Sequence, residues 1–236
     1  MHPSASLLIS AGMATIALVV AALILAAYAW VVRKDGAGRV LPLTIGMAAW
    51  IAGVGFAGAE GALRRYDVRP PPLMVVLAAG FVITIAVARS RIGERLARVL
   101  PLAAIIGFQA FRLPLELVMH RAAAEGTMPV QMSFGGWNFD VLTGASAIVV
   151  ASLVARGAAP RWLVPAWAVM SSVLLAAIVG IAIASTPMVS AFGSSPDRLN
   201  TWIGWFPFVW LPCVLVPAAL FGQIVLVRRL RLDSIV

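Results

Sequence analysis

The sequence predicts an all-α polytopic transmembrane bundle of seven helices, a single domain over residues 1–236, with the N-terminus outside and the C-terminus inside. Three observations carry this. Hydrophobic residues make up 62% of the chain and charged residues 11%, with mean hydropathy +0.99, against about 45–50% and about 25% in soluble domains. The apolar residues come in runs of about 20, the length that crosses a bilayer. The basic residues sit in short links between these runs, where the positive-inside rule puts them. The net charge of +9 therefore reads as topology, and a nucleic-acid partner is excluded. The lipid bilayer is the expected surrounding.

The first run is 7–32. Ala27-Tyr28-Ala29 mimics a signal-peptidase site, but the run has no basic segment before it and is too long for a signal core. It reads as an uncleaved helix. The second run, 40–63, is rich in Gly and Ala, which let helices approach closely in lipid. The prolines Pro70, Pro71 and Pro72 end one helix and open the third, 73–88. A basic loop, Arg89 to Arg98, leads to the fourth run, 99–120. Residues 121–139 are mildly apolar and contain Gly126, Pro129, Gly135 and Gly136, a long connection of the kind that carries function. The fifth run is 140–155, with Asn138 or Asp140 as its cap. The sixth is 162–186 and the seventh 201–227. Arg39-Val40-Leu41-Pro42-Leu43 recurs as Arg98-Val99-Leu100-Pro101-Leu102, which reads as shared helix-start chemistry.

Orientation follows from the basic residues. With the N-terminus outside, Arg33, Lys34, Arg39, Arg89, Arg91, Arg95, Arg98, Arg156, Arg161, Arg228, Arg229 and Arg231 are inside. Only Arg64, Arg65, Arg69, Arg121 and Arg198 are outside.

Arg112, Glu116 and His120 recur at intervals of four and share one helix face. Ionisable residues at membrane depth are costly and need partners, so they mark a functional site by default. Counted from Val99, this face lies in the outer half of the membrane, level with Glu60, Asn138 and Asp140. Two readings of this layer stand open. It is an internal salt-bridge clasp between helices, or an outward-facing pocket in which Arg112 forks a carboxylate or phosphate. His120 also reads as a plain interfacial residue. In the seventh run Pro207, Pro212 and Pro217 recur every five residues among Trp202, Trp205 and Trp210. Trp205, Pro207, Trp210 and Pro212 read as a gate or pocket wall, or as an ordinary aromatic belt.

No metal site or cofactor is expected. Cys213 is the only cysteine and His2 the only other histidine. Retinal is excluded because the only lysine, Lys34, lies in a link rather than in the last span. No hydrolase or nucleotide-binding motif is present, so an enzyme is not favoured. The leading expectation is a protein that binds or transports a small polar or anionic solute, or protons. The alternatives are a non-catalytic sensor or assembly partner and an intramembrane lipid-modifying enzyme.

Two stretches carry a resemblance: Phe111-Arg112-Leu113-Pro114-Leu115-Glu116 continuing to Met132–Asp140, and Phe206-Pro207-Phe208-Val209-Trp210-Leu211-Pro212. Together they resemble a family of small, uncharacterised bacterial integral membrane proteins, over roughly residues 109–223. The resemblance implies a multi-pass protein of the bacterial inner membrane and supplies no activity. In that family an acidic residue often stands at the position of Gly135 and a histidine at that of Gln223. The departures here weaken a metal or proton-relay role at those places. The resemblance also implies that the two stretches belong together.

Overall fold

The computed structural model describes residues 5–36 and 38–233, and His2 lies outside them. Among the described residues the chain is helical with no strand. Helix α1 is Leu7–Asp35 and α2 is Val40–Ala59. Gly61 takes the left-handed φ of +80° and a 3-10 turn, Ala62–Arg64, follows. The second helix thus stops four residues earlier than its apolar run, and Glu60 falls at its cap.

Helix α3, Pro72–Arg89, opens on a proline whose missing N–H costs nothing in the first turn. The basic loop expected next is itself a helix, α4, Arg91–Val99, capped by Ser90 Oγ on the Ile92 amide at 3.1 Å. It buries Gly93, Leu96 and Ala97 and turns Arg91 and Arg98 outward. Pro101 holds Leu100 in extended backbone and separates α4 from the span proper. That span is α5, Leu102–Phe108, a 3-10 turn Gln109–Phe111, and α6, Arg112–Ala124. The fourth run therefore begins at Leu102 and ends at Ala124, not at Val99 and His120.

Helix α7 is Val141–Ala155 and α8 is Leu163–Ala184. The last helix begins at Leu211, not Thr201. A π-turn, Leu211–Leu215, runs into α9, Val216–Asp233. Before it, residues 201–210 fold as turns and bury Trp202, Phe208 and Val209.

Among the described residues six helices are long and apolar enough to cross a membrane: α1, α2, α3, the α5–α6 span, α8, and the span Leu211–Leu232. This is the architecture of a multi-pass membrane protein. Leu18, Ile45, Val82, Ile148 and Val173 are exposed on their helices, as residues facing lipid would be. Helix α7 is apolar but shorter, and its 15 residues rise only ~22 Å.

The polar ends sort into two faces. At one, Arg95 meets Asp35 at 3.8 Å, and Arg228 donates to the carbonyls of Ala88 and Ser90 at 2.7 and 3.0 Å. Arg95, Arg228 and Arg229 make this the basic face. At the other, the Ser6 amide donates to Glu125 at 3.2 Å, and Gln131 donates to the Arg198 carbonyl at 2.8 Å.

Glu125 also binds Arg121 at 2.7 Å, and that hydrogen bond holds its carboxyl below the usual glutamate range. A lowered carboxyl favours the folded arrangement above its unfolded pKa and loses that contribution as pH falls through the folded value. Amide exchange at the start of α1 should therefore quicken on acidification to below the usual glutamate range. In Glu125→Gln it should already be fast at neutral pH.

Candidate functional site

Arg112 lies near the middle of its span, ten residues from Leu102 and twelve from Ala124, or ~15 Å and ~18 Å along the axis. This is deeper than the outer-half position counted from Val99. Helix α7 runs antiparallel beside it. Ala151 lies 3.6 Å from the Cβ position of Gly107, and at Gly144 any Cβ would collide with the backbone of Leu113. That close approach brings Asp140, just before α7, to the guanidinium. The first turn of α7 therefore starts at mid-depth. Residues 125–139 descend from the end of α6 to reach it. Non-helical backbone at such depth is tolerated where protein covers it, and Gln131, Met132, Ser133 and Asn138 are buried.

Arg112 is fully enclosed, at 1% exposure. Its Nε donates to Asp140 Oδ2 at 2.6 Å, its Nη2 to Asp140 Oδ1, and its Nη1 to Ser171 Oγ at 3.0 Å. This is the fork-on-carboxylate geometry in which arginine binds most strongly. Gln223 Nε2 donates to the same Ser171 oxygen, which draws α9 into the cluster. Asn138 does not cap α7 with its side chain free. Its Oδ1 accepts from the Asp140 amide at 3.0 Å, and its Nδ2 donates to Glu116 Oε2 at 2.7 Å and to the Met132 carbonyl at 3.0 Å. Asp140 occupies the cap position but gives its carboxylate to Arg112 instead.

The cluster holds one guanidinium and two carboxyl groups. Asp140 is the only carboxylate in ion-pair contact with Arg112 among the described residues. Glu116, 2% exposed, accepts from the Asn138 amide and has no cation within ion-pair distance among the described residues. A second carboxylate is therefore held at membrane depth by a neutral donor.

Beside this cluster lies a cavity of about 230 Å³ walled by α3, α6, α8 and the π-turn. Arg112, Glu116 and Asp140 edge it, and most of its wall is apolar, including Phe81, Leu115, Leu175, Ile178 and Leu215. Helices α3 and α8 both line it but do not pack on each other to any extent. Ile183, on the rim, is half exposed. The cavity thus reaches the lipid-facing surface sideways, between α3 and α8.

Arg112, Glu116, Asn138 and Asp140 are brought together. Glu60 and His120 are not. Glu60 is exposed at the end of α2, and His120 is exposed and stacks on Phe134 with ring centroids 4.0 Å apart. Of the expected aromatic wall only Pro212 lines the cavity. Trp205 lies under the Arg64 guanidinium at 3.5 Å, Pro207 is buried in the turns before α9, and Trp210 Nε1 donates to the Ile51 carbonyl at 3.0 Å. Pro217 has no N–H for the Cys213 carbonyl one turn back, and Trp50 Nε1 takes that place at 2.9 Å. Tryptophans of α2 and of the last segment thus join α2 to the broken start of α9.

Sequence reasoning missed Ser171, Gln223, Gln109, whose Nε2 donates to the Ala219 carbonyl at 3.0 Å, and Trp50. The first three are isolated polar residues within apolar runs, and that isolation was the available signal. Among the described residues no three His, Cys, Asp or Glu side chains lie together as a metal site would need.

Fold and site together define a multi-pass α-helical membrane protein with a buried Arg–Asp pair, an adjoining carboxylate and a laterally open apolar cavity. No family model, curated protein or solved structure matches the chain.

Proposed function

We propose that the protein binds, and carries within the bilayer, a small lipophilic molecule bearing a cationic or hydrogen-bond-donating group, with Glu116 as its polar anchor. One observation carries this reading. Glu116 borders an apolar cavity with no cation of its own, while Arg112 is consumed by Asp140 and Ser171. An anionic solute would find no spare positive charge there, which favours a cationic or hydrogen-bond-donating one. The cavity is smaller than the ~300–1,000 Å³ of a drug-sized site, which restricts the occupant to a short chain or single ring. The lateral opening supports entry from the lipid. Arg112 and Asp140 serve as the clasp that fixes the floor.

A photoreactive aliphatic amine tests this on the purified full chain in nanodiscs. Labelling is expected on Leu175, Ile178 or Leu115, and is expected to fall by about tenfold in Glu116→Gln, which keeps the shape and removes the charge, as loss of a charge-assisted hydrogen bond requires. Equal labelling of wild type and variant overturns the reading.

A further inference from the structure

A second apolar recess lies at the other end of the molecule. It measures about 440 Å³ and is bounded by α1, α5 and α9, with Ile24, Ala104, Phe108 and Phe221 among its walls. Its depth depends on Gly222, where a Cβ would stand 3.0 Å from the Phe108 ring. Leu23 and Trp30 line it and are 48% and 37% exposed, so it opens to lipid along its length. Towards the basic face it ends at Trp30, Leu96 and Leu100.

Charge is concentrated at that end. Lys34, one turn beyond Trp30, places its ammonium 4.8 Å from the Trp30 ring centre. Asp35 beside it meets Arg95 of α4, so the end of α1 and the flank of α4 adjoin. Arg98, one turn further along α4, is exposed and meets Glu94 at 2.9 Å. Arg229 donates to the carbonyls of Ala97 and Arg98, both at 3.2 Å, and so fixes the end of α4 against α9. Cations here outnumber the two carboxylates, Asp35 and Glu94.

An apolar groove open to lipid, closed at the interface by an amphipathic helix and rimmed by cations, has the form of a phospholipid site. Basic pockets between spans on the positively charged side attract anionic headgroups. We infer that this groove holds an acyl chain of an anionic phospholipid, whose phosphate is met by Lys34 and Arg95. Arg229 acts as a positioning residue through α4. This site is separate from the Glu116 cavity and does not depend on it.

Native mass spectrometry of the full chain in detergent, titrated with phosphatidylglycerol or phosphatidylcholine of identical chains, tests the inference. Phosphatidylglycerol adducts are expected to persist at collision energies that strip phosphatidylcholine. Lys34→Gln with Arg95→Gln is expected to reduce that preference by about tenfold. Ala104→Phe, which projects a ring into the groove from an exposed position, is expected to reduce adducts of both lipids while leaving the melting temperature unchanged. Equal retention of the two lipids by wild type overturns the inference. So does an unchanged preference in the double variant, or unchanged adducts in Ala104→Phe. Inorganic phosphate alone is expected not to displace the lipid, and displacement by it would show a headgroup site without the groove.

Discussion

Asp140→Asn is expected to lose ~3–5 kcal/mol of stability, because removing one partner of a buried ion pair strands the other charge. Arg112 is enclosed among α6, α7 and α8. Since whole domains are stable by only about 5–15 kcal/mol, the variant should give a sharply lowered melting temperature and poor recovery from detergent. Arg112→Met should fail similarly, leaving Asp140 uncompensated. The paired replacement Arg112→Met with Asp140→Leu removes both charges and fills similar volume, and is expected to recover most of the loss. Thermal melts of the two single variants and the double variant give the coupling directly. Additive losses would show that the pair does not hold the bundle together.

The second large effect is expected at Gly144. A Cβ there would meet the Leu113 amide and lie 2.7 Å from the Leu113 Cα, and backbone cannot step aside as a flexible side chain can. Gly144→Ala should cost ~1–3 kcal/mol, the usual range for overpacking. It should also push α7 off α6 and lengthen the Arg112–Asp140 contact. Its loss should then combine with Asp140→Asn to less than the sum, because the two changes damage the same contact. A full sum would separate helix approach from the ion pair.

The sequence carried the spans by length and hydropathy, and the charged layer by the rarity of its members. Arg112, Glu116, Asn138 and Asp140 stood out because nothing else near them was polar. Glu60 was grouped with them by depth, and His120 by its spacing of four from Glu116. The left-handed turn at Gly61 and the outward face of α6 remove them, and neither shows in hydropathy. Residues 201–210 have the composition of a span, yet Pro207 interrupts the helix there, and the aromatic rings bury the turns instead. Helix α4 was hidden by its charge, since its apolar stripe is only Gly93, Leu96 and Ala97.

The depth of the cluster was misjudged for a related reason. Counting from Val99 included the end of α4, whereas Pro101 starts the span at Leu102. The same correction places the start of α7 at mid-membrane and the residues 125–139 above it. The polar cluster therefore sits where helix gives way to covered, non-helical backbone, an arrangement that binding sites in membrane proteins share.

Arg112 is spent within the fold, while Glu116 offers the cavity a carboxyl group with no cation bound to it. Competition against the photoreactive amine by three unlabelled chains of equal length tests it most directly: octylamine, octanol and octanoate. The expected order of protection is amine, then alcohol, with octanoate giving none. Protection by octanoate equal to or above that of octylamine would mean that Arg112 is available to ligands, and would contradict the claim.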